Sequence, residues 1–294
     1  MSRARVALGG GTALVAAAAW SLFESQWVEL REVEVEVPGL PSELDGLRVL
    51  HLSDSHLGKL SLNGRALEKA VAWAEGRDAD LVAITGDLLT RRRGEAALER
   101  AVARLGSGCP VVAVLGNHDV NESRDPFTEP SDASRALGTN AILLSDSSRS
   151  LDLRGVPVQI AGVDPVTFME GTSTPEALAD HSAPFRILLS HFPDTVAQLP
   201  AGAFHLVLAG HTHGGQICVP VPGGKIRLEN LGSRYWEGVY QLPNAVLHVS
   251  RGLGTSFVPF RFLARPEATE LTLRSQTLDR KLTGNRGTTL SDQP

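Results

Sequence analysis

A chain of 294 residues, 42% hydrophobic and 21% charged, has the composition of a globular α/β protein and room for one large domain or two small ones. Its formal charge of −5 argues against a general nucleic-acid binder, whose surface is usually basic. Its two cysteines, Cys109 and Cys218, lie far apart and outside any CxxC spacing, which excludes a disulfide framework and a cysteine zinc site.

Arg3 and Arg5 precede an uncharged run from Val6 to Phe23, and Glu24, Glu29 and Glu32 follow it. Eighteen helical residues reach about 27 Å, just under a hydrocarbon core of roughly 30 Å. A cleaved signal peptide ending near Ala17-Ala18-Ala19 is the alternative. The run exceeds the roughly 7–15 residues of a usual signal core, so an uncleaved membrane anchor is expected over residues 1–30. With the basic residues ahead of the span and the acidic ones behind it, the domain that follows is expected outside the cytoplasm, anchored in the inner membrane.

Val33, Val35 and Val37 alternate with Glu34 and Glu36, the period of a half-exposed strand. One theme then recurs: a short apolar run, a small residue, a polar residue. Leu47–Leu52 leads to Ser53-Asp54, Leu81–Thr85 to Gly86-Asp87, and Val111–Leu115 to Gly116-Asn117. Ile187–Leu189 leads to Ser190-His191, and Leu206–Ala209 to Gly210-His211. Leu67, Ala70, Val71 and Ala74 share a helical face, as do Leu98, Ala101, Val102 and Leu105. Strand–helix alternation of this kind implies a largely parallel sheet with helices packed on it. Further strands are expected at Ile142–Leu144, Val158–Ala161, Ala245–Val249 and Ala268–Leu273, and a short helix after Thr174-Pro175. The domain is expected over residues 31–275, followed by a disordered polar tail over 276–294.

Sites in open α/β sheets form beyond the carboxyl ends of strands, where the chain leaves the sheet. Here five strand ends carry metal-type ligands: Asp54 and His56, Asp87, Asn117-His118-Asp119, His191, and His211 with His213. In extended chain Asp54 and His56 point the same way, as do His211 and His213, so each pair is expected to grip one ion. Any one of these segments alone reads better as a cap or a turn; the five together do not. His51, His181, His205 and His248 take the plainer reading of core or surface residues.

The ordered series D-x-H, G-D, G-N-H-D, H and G-H-x-H, here spanning residues 54 to 213, resembles the calcineurin-like metallophosphoesterase superfamily. His211–Gln216, Arg251–Gly254 and Arg261–Glu267 are similar to a bacterial branch that includes enzymes resembling UDP-2,3-diacylglucosamine pyrophosphatases. The resemblance implies a four-layer α/β/β/α sandwich of two mixed sheets, preceded here by the membrane helix. It implies two divalent ions, with Asp54, His56, Asp87 and His213 on one and Asp87, Asn117, His191 and His211 on the other. His118 would stand free of the ions as a general acid, with Asp119 as its orienting partner. Nitrogen and oxygen ligands without thiolate suit Mn, Fe or Zn.

The implied activity is hydrolysis of a phosphate ester: a phosphodiesterase, pyrophosphatase or phosphomonoesterase acting on a lipid-linked, nucleotide or envelope phosphate, by water activated between the ions. A nuclease of the same superfamily is the first rival, but no nucleic-acid partner is expected at this charge. A metal-binding scaffold without catalysis is the second, and would have lost ligands or His118. Arg91 is readable as a phosphate contact or as part of a solvated basic turn over Arg91–Arg93, and Arg251, at a strand end, as a contact to a substrate anion or as a structural ion pair.

Overall fold

The computed structural model describes residues 15–228 and 232–276. Its frame is two mixed six-stranded sheets. Sheet 1 has the order β1-β14-β2-β3-β4-β5. Its strands are β1 (Glu29–Val37), β14 (Glu267–Ser275), β2 (Arg48–Leu52), β3 (Leu81–Thr85), β4 (Val111–Val114) and β5 (Ile142–Leu143). Sheet 2 has the order β12-β13-β9-β8-β7-β6. It is built from β12 (Gly238–Gln241), β13 (Val246–Val249), β9 (Leu206–Ala209), β8 (Phe185–Leu189), β7 (Val156–Gly162) and β6 (Ser147–Leu153).

In sheet 1, β2 to β5 are parallel, β14 enters antiparallel to β2, and β1 runs parallel to β14. In sheet 2, β7, β8, β9 and β13 are parallel, with antiparallel β6 and β12 at the edges. The central strands are uniformly buried, which is why they read as short continuous apolar runs.

The sheets meet through one apolar cluster that includes Val49, Leu81 and Val112 from sheet 1 and Val158, Ile187 and Leu206 from sheet 2. The outer face of sheet 1 is covered by α2 (Asn63–Ala74), α3 (Glu95–Leu105) and α4 (Ala133–Leu137). The helical faces read from the sequence, Leu67/Ala70/Val71/Ala74 and Leu98/Ala101/Val102/Leu105, are the buried ones. Sheet 2 has a lighter cover: α5 (Pro165–Glu170) and short 3₁₀ turns at Pro175–Leu178 and Pro193–Gln198. Asp164 caps α5, accepting from the amides of Val166 and Thr167, with Pro165 at the first turn. The helix expected after Thr174-Pro175 is one of the 3₁₀ turns, without a side-chain cap.

The membrane helix expected over residues 6–23 falls partly outside the described residues. The first helix, α1, is described over residues 15–24. Among the described residues no helix is long and apolar enough to cross a membrane. Glu24, buried at the end of α1, ties it to the domain by accepting from the Ala264 amide (2.8 Å), while Trp20 Nε1 of the same helix donates to its other oxygen (3.0 Å). The tail expected to be disordered lies, from residue 277, outside the described residues.

Candidate metal centre

The ligand-bearing segments leave the carboxyl ends of β2, β3, β4, β8 and β9, strands central to the two facing sheets. Sequence-distant side chains therefore meet at one edge of the sandwich. Asp54, His56, Asp87 and His213 bring ligand atoms within 4.8 Å of one another, and so do Asp87, His191 and His211. Asp87 belongs to both groups. Its Oδ2 lies 3.5 Å from His56 Nε2, 3.3 Å from His191 Nε2 and 3.8 Å from His118 Nε2.

The expected pairing of His211 with His213 on one ion does not hold. His213 Nε2 sits 3.1 Å from His56 Nε2 and 3.5 Å from Asp54 Oδ1, whereas His211 Nδ1 sits 3.1 Å from His191 Nε2. The reason is backbone conformation. Asp54, His56, Asp87, His211 and His213 all take positive φ, between 43° and 72°, so the simple alternation of extended chain is lost. Left-handed backbone is costly for side-chain-bearing residues and concentrates at functional sites.

The interior of the cluster is polar and almost closed. Asp54, His56, Asp87, His191 and His213 are all buried. Burial raises the Asp54 carboxyl, and Asp87 raises it further, to about 7 despite the nearby His191. Burial alone would also raise Asp87, but the surrounding imidazoles, His191 first, hold it well below the usual carboxylate range. Burial would lower His191, but the Asp87 carboxylate outweighs it and raises the ring to about 9. Burial above all, with the neighbouring basic groups adding to it, pushes His56 and His213 well below their ordinary value, and His211 down to about 3.

Divalent cations fit this arrangement. The Oδ1 of Asn117 is buried and has no hydrogen-bond partner, which is costly unless something else satisfies it. Pairs of imidazole nitrogens face each other at 3.1 Å, where only a proton or a cation can lie between them. His191 Nδ1 lies 2.8 Å from the Thr85 carbonyl, which can only accept, so Nδ1 keeps a proton and Nε2, once it gives up its own to a cation, turns a lone pair to the cluster.

His118 is oriented by residues that were not singled out in the sequence. Its Nδ1 lies 2.9 Å from Thr128 Oγ1 and its Nε2 2.9 Å from Ser123 Oγ. Asp119 does not orient it, contrary to expectation. The Asp119 carboxylate accepts from the backbone amides of Leu88, Leu89 and Gly116, at 2.9–3.1 Å, and so clamps the β3 and β4 loops together. Adjacent residues on a turning loop point apart. A buried carboxylate that gathers three amides is a structural device. Thr128 and Ser123 lie in a loop without period or motif, so only the composition of a polar loop after Asn117-His118 pointed to them.

Arg91 and Arg251 resolve as ion pairs. Arg91 meets Glu129 at 3.2 Å and the Phe127 carbonyl at 2.9 Å. Arg251 is held by Glu267 at 2.7 Å and Glu29 at 2.8 Å. His51 and His248 are core residues, as read, their Nδ1 atoms 2.8 Å apart between the sheets. A cleft of about 320 Å³ opens over the cluster, with Asp87, Asn117, His118, Arg124, Phe192 and Phe257 in its walls.

The Calcineurin-like phosphoesterase family profile matches residues 47–215. The chain is 29% identical over 266 residues to the metallophosphoesterase YkuE of Bacillus subtilis, covering 86% of this chain and 88% of that protein. It is 27% identical over 294 residues to the UDP-2,3-diacylglucosamine pyrophosphatase LpxG of Chlamydia muridarum, covering 83% and 89%. It is 27% identical over 237 residues to the phosphodiesterase YaeI of Escherichia coli, covering 77% and 82%.

Proposed function

The chain belongs to the calcineurin-like phosphoesterases, metal-dependent hydrolases of phosphate esters that use two divalent ions, and from that membership we propose the role of each residue in the centre. Asp54, His56, Asp87 and His213 hold one ion. Asp87, Asn117, His191 and His211 hold the other, with Asp87 shared. The observation that carries this reading is the membership of Asp87 in both ligand groups. When bound, the ions acidify the attacking water and draw charge from the phosphoryl oxygens.

The rest of the chemistry belongs to the chain. Asp87 holds the His118 amide at 2.9 Å through Oδ1, which fixes His118 beside the shared carboxylate. His118, gripped at both ring nitrogens, donates a proton to the departing ester oxygen from Nε2, where the leaving group displaces the Ser123 hydroxyl. Phe192, stacked on Phe168 and packed against His211, keeps water from one side of the cleft.

The substrate is a phosphodiester or pyrophosphate, lipid-linked or from the cell envelope. The names of two relatives, a phosphodiesterase and a UDP-2,3-diacylglucosamine pyrophosphatase, support that class. The chain sits at the membrane through its N-terminal segment, with the domain outside the cytoplasm. Arg3 and Arg5 ahead of the apolar run support this. So do exposed Trp20, Phe23 and Trp27, packed ring against ring at 5.6–6.0 Å with Arg265 over Trp27, a composition suited to a membrane interface.

The test is to strip the protein of metal, reload it with Mn, and assay bis-p-nitrophenyl phosphate beside duplex DNA. Cleavage of the diester alone is expected. Asp87→Asn is expected to lose that activity and to lower the content of both ions by elemental analysis. Retention of one full equivalent of metal would exclude Asp87 as the shared ligand.

A further inference from the structure

The metal centre accounts for one wall of the cleft and leaves the other unexplained. Arg124 is the one arginine or lysine in that lining among the described residues. It is exposed, and no carboxylate lies within ion-pair distance of it among the described residues. Arg91 and Arg251, by contrast, are consumed by Glu129 and by Glu267 with Glu29. Across the lining stand Phe192, Met169 and Phe257, of which Met169 and Phe257 are about two-fifths exposed.

Phe257 is held in an unfavourable conformation. Its φ is +50°, a left-handed backbone that a bulky side chain adopts only when its surroundings impose it. What imposes it is Asp125, the neighbour of Arg124. The buried Asp125 carboxylate accepts from the Phe257 amide at 2.7 Å, from the Phe127 amide at 2.9 Å and from Lys59 Nζ at 3.3 Å. One acid therefore locks the loop bearing Arg124 to the loop bearing Phe257. A free cation and an exposed aromatic ring are set in fixed relation on the rim of a polar cleft. Folding alone gives no reason to strain a phenylalanine so as to leave its ring in water.

We propose that Arg124 and the Phe192–Met169–Phe257 wall form a substrate subsite, which takes a second, non-scissile anionic group and the aromatic or apolar group attached to it. This rests on the phosphoesterase reading of the centre and narrows its substrate class to organic pyrophosphates and esters of equivalent charge. The centre engages the phosphoryl group to be cleaved; Arg124 engages the next anion along, as a guanidinium does through paired N–H donors. Glu122 also lines the cleft, without a cationic partner, and works against anion binding.

The test compares two non-hydrolysable probes, by calorimetry, on the full chain in Mn-saturated buffer. α,β-Methylene adenosine diphosphate carries two anionic groups and an aromatic ring; phenylphosphonate carries one anionic group. Arg124→Gln is expected to weaken the first about 10-fold, the scale of one solvent-exposed charge-assisted contact, and to leave the second within about twofold. Arg124→Lys restores part of the loss. Phe257→Gly, which suits a left-handed backbone, keeps the melting temperature and weakens the adenosine probe. Glu122→Gln leaves binding equal or tighter.

Equal weakening of both probes by Arg124→Gln, no weakening of either, or a wild type that does not prefer the two-anion probe would overturn the subsite. Failure to cleave bis-p-nitrophenyl phosphate would instead count against the phosphodiesterase reading, with the probe difference still standing.

Discussion

The Nδ1 of His118 lies 2.9 Å from the hydroxyl of Thr128, a contact that fixes the ring through a residue ten positions further along the chain. Removing the hydroxyl while keeping the shape, in Thr128→Val, should lower kcat on bis-p-nitrophenyl phosphate by roughly 10-fold, since a general acid must be aimed as well as present. His118→Ala should lower it by about 10²–10⁴-fold. Metal content by elemental analysis should be unchanged in both. Loss of both ions in His118→Ala would make His118 a ligand instead.

Two glycines are required by close approach. A Cβ on Gly116 would run into the Asp87 carboxylate, and one on Gly210 into the Ser53 hydroxyl and the Asp54 carboxylate. Gly116→Ala and Gly210→Ala should each cost about 1–3 kcal/mol of stability, the scale of overpacking in a tight interior. They should also reduce the metal bound per chain, because the displaced groups are the proposed ligands. Full metal occupancy with an unchanged melting temperature would contradict the crowding.

Arg251 separates a structural role from a substrate role. Glu267 is fully buried and depends on Arg251, at 2.7 Å, and on Arg31, at 3.3 Å. Arg251→Met removes the shorter of those two contacts, leaves the carboxylate to Arg31, and should destabilise the fold by about 3 kcal/mol in urea titrations. The KM of the folded fraction should stay within about twofold of wild type, because no transition-state or ground-state contact is lost. A raised KM with unchanged stability would return Arg251 to the list of phosphate contacts.

Metal uptake should release protons in a pH-dependent way. In the metal-free chain burial would lower His191, but Asp87 raises it from its ordinary 6.5 to about 9, so the ring is protonated at pH 7. Asp54, raised to about 7, is partly protonated there as well. A cation at these groups requires their deprotonated forms, so one or more protons should leave at pH 7 and few above pH 10. Calorimetry in buffers of different ionisation enthalpy reads this number. The sign for metal-free stability follows: the charged His191–Asp87 contact contributes fully below about pH 6.5 and is lost as pH rises through about 9.

The metal-type residues were legible because each follows a buried strand, and a buried strand leaves an apolar run that ends abruptly, as at Leu81–Thr85 before Gly86-Asp87. The exposed strands outside sheet 1 were not. Ser147–Leu153 is largely exposed, and the hairpin of Cys218–Val221 with Gly224–Arg227 buries only Cys218 fully, so neither carries a burial pattern to read. Where the Asp119 carboxylate points was not legible, because its partners, the amides of Leu88, Leu89 and Gly116, belong to two different loops. Thr128, Ser123 and Arg124 were passed over because a loop has no period. What brings them to the site is the Asp125 carboxylate, whose partners Lys59 and Phe257 lie 66 and 132 residues away.

The order of strands in sheet 1 has a consequence for how the chain is made. Strand β2, which ends at Asp54, is hydrogen-bonded on one side to Thr269–Thr272, and β1 pairs along its whole length with Glu267–Ser275. Strand β1 thus waits for the last strand of the domain, and β2 for one of its two neighbours. A nascent chain leaving the ribosome can pair β2, β3, β4 and β5 early, yet it cannot finish this sheet until synthesis is nearly complete.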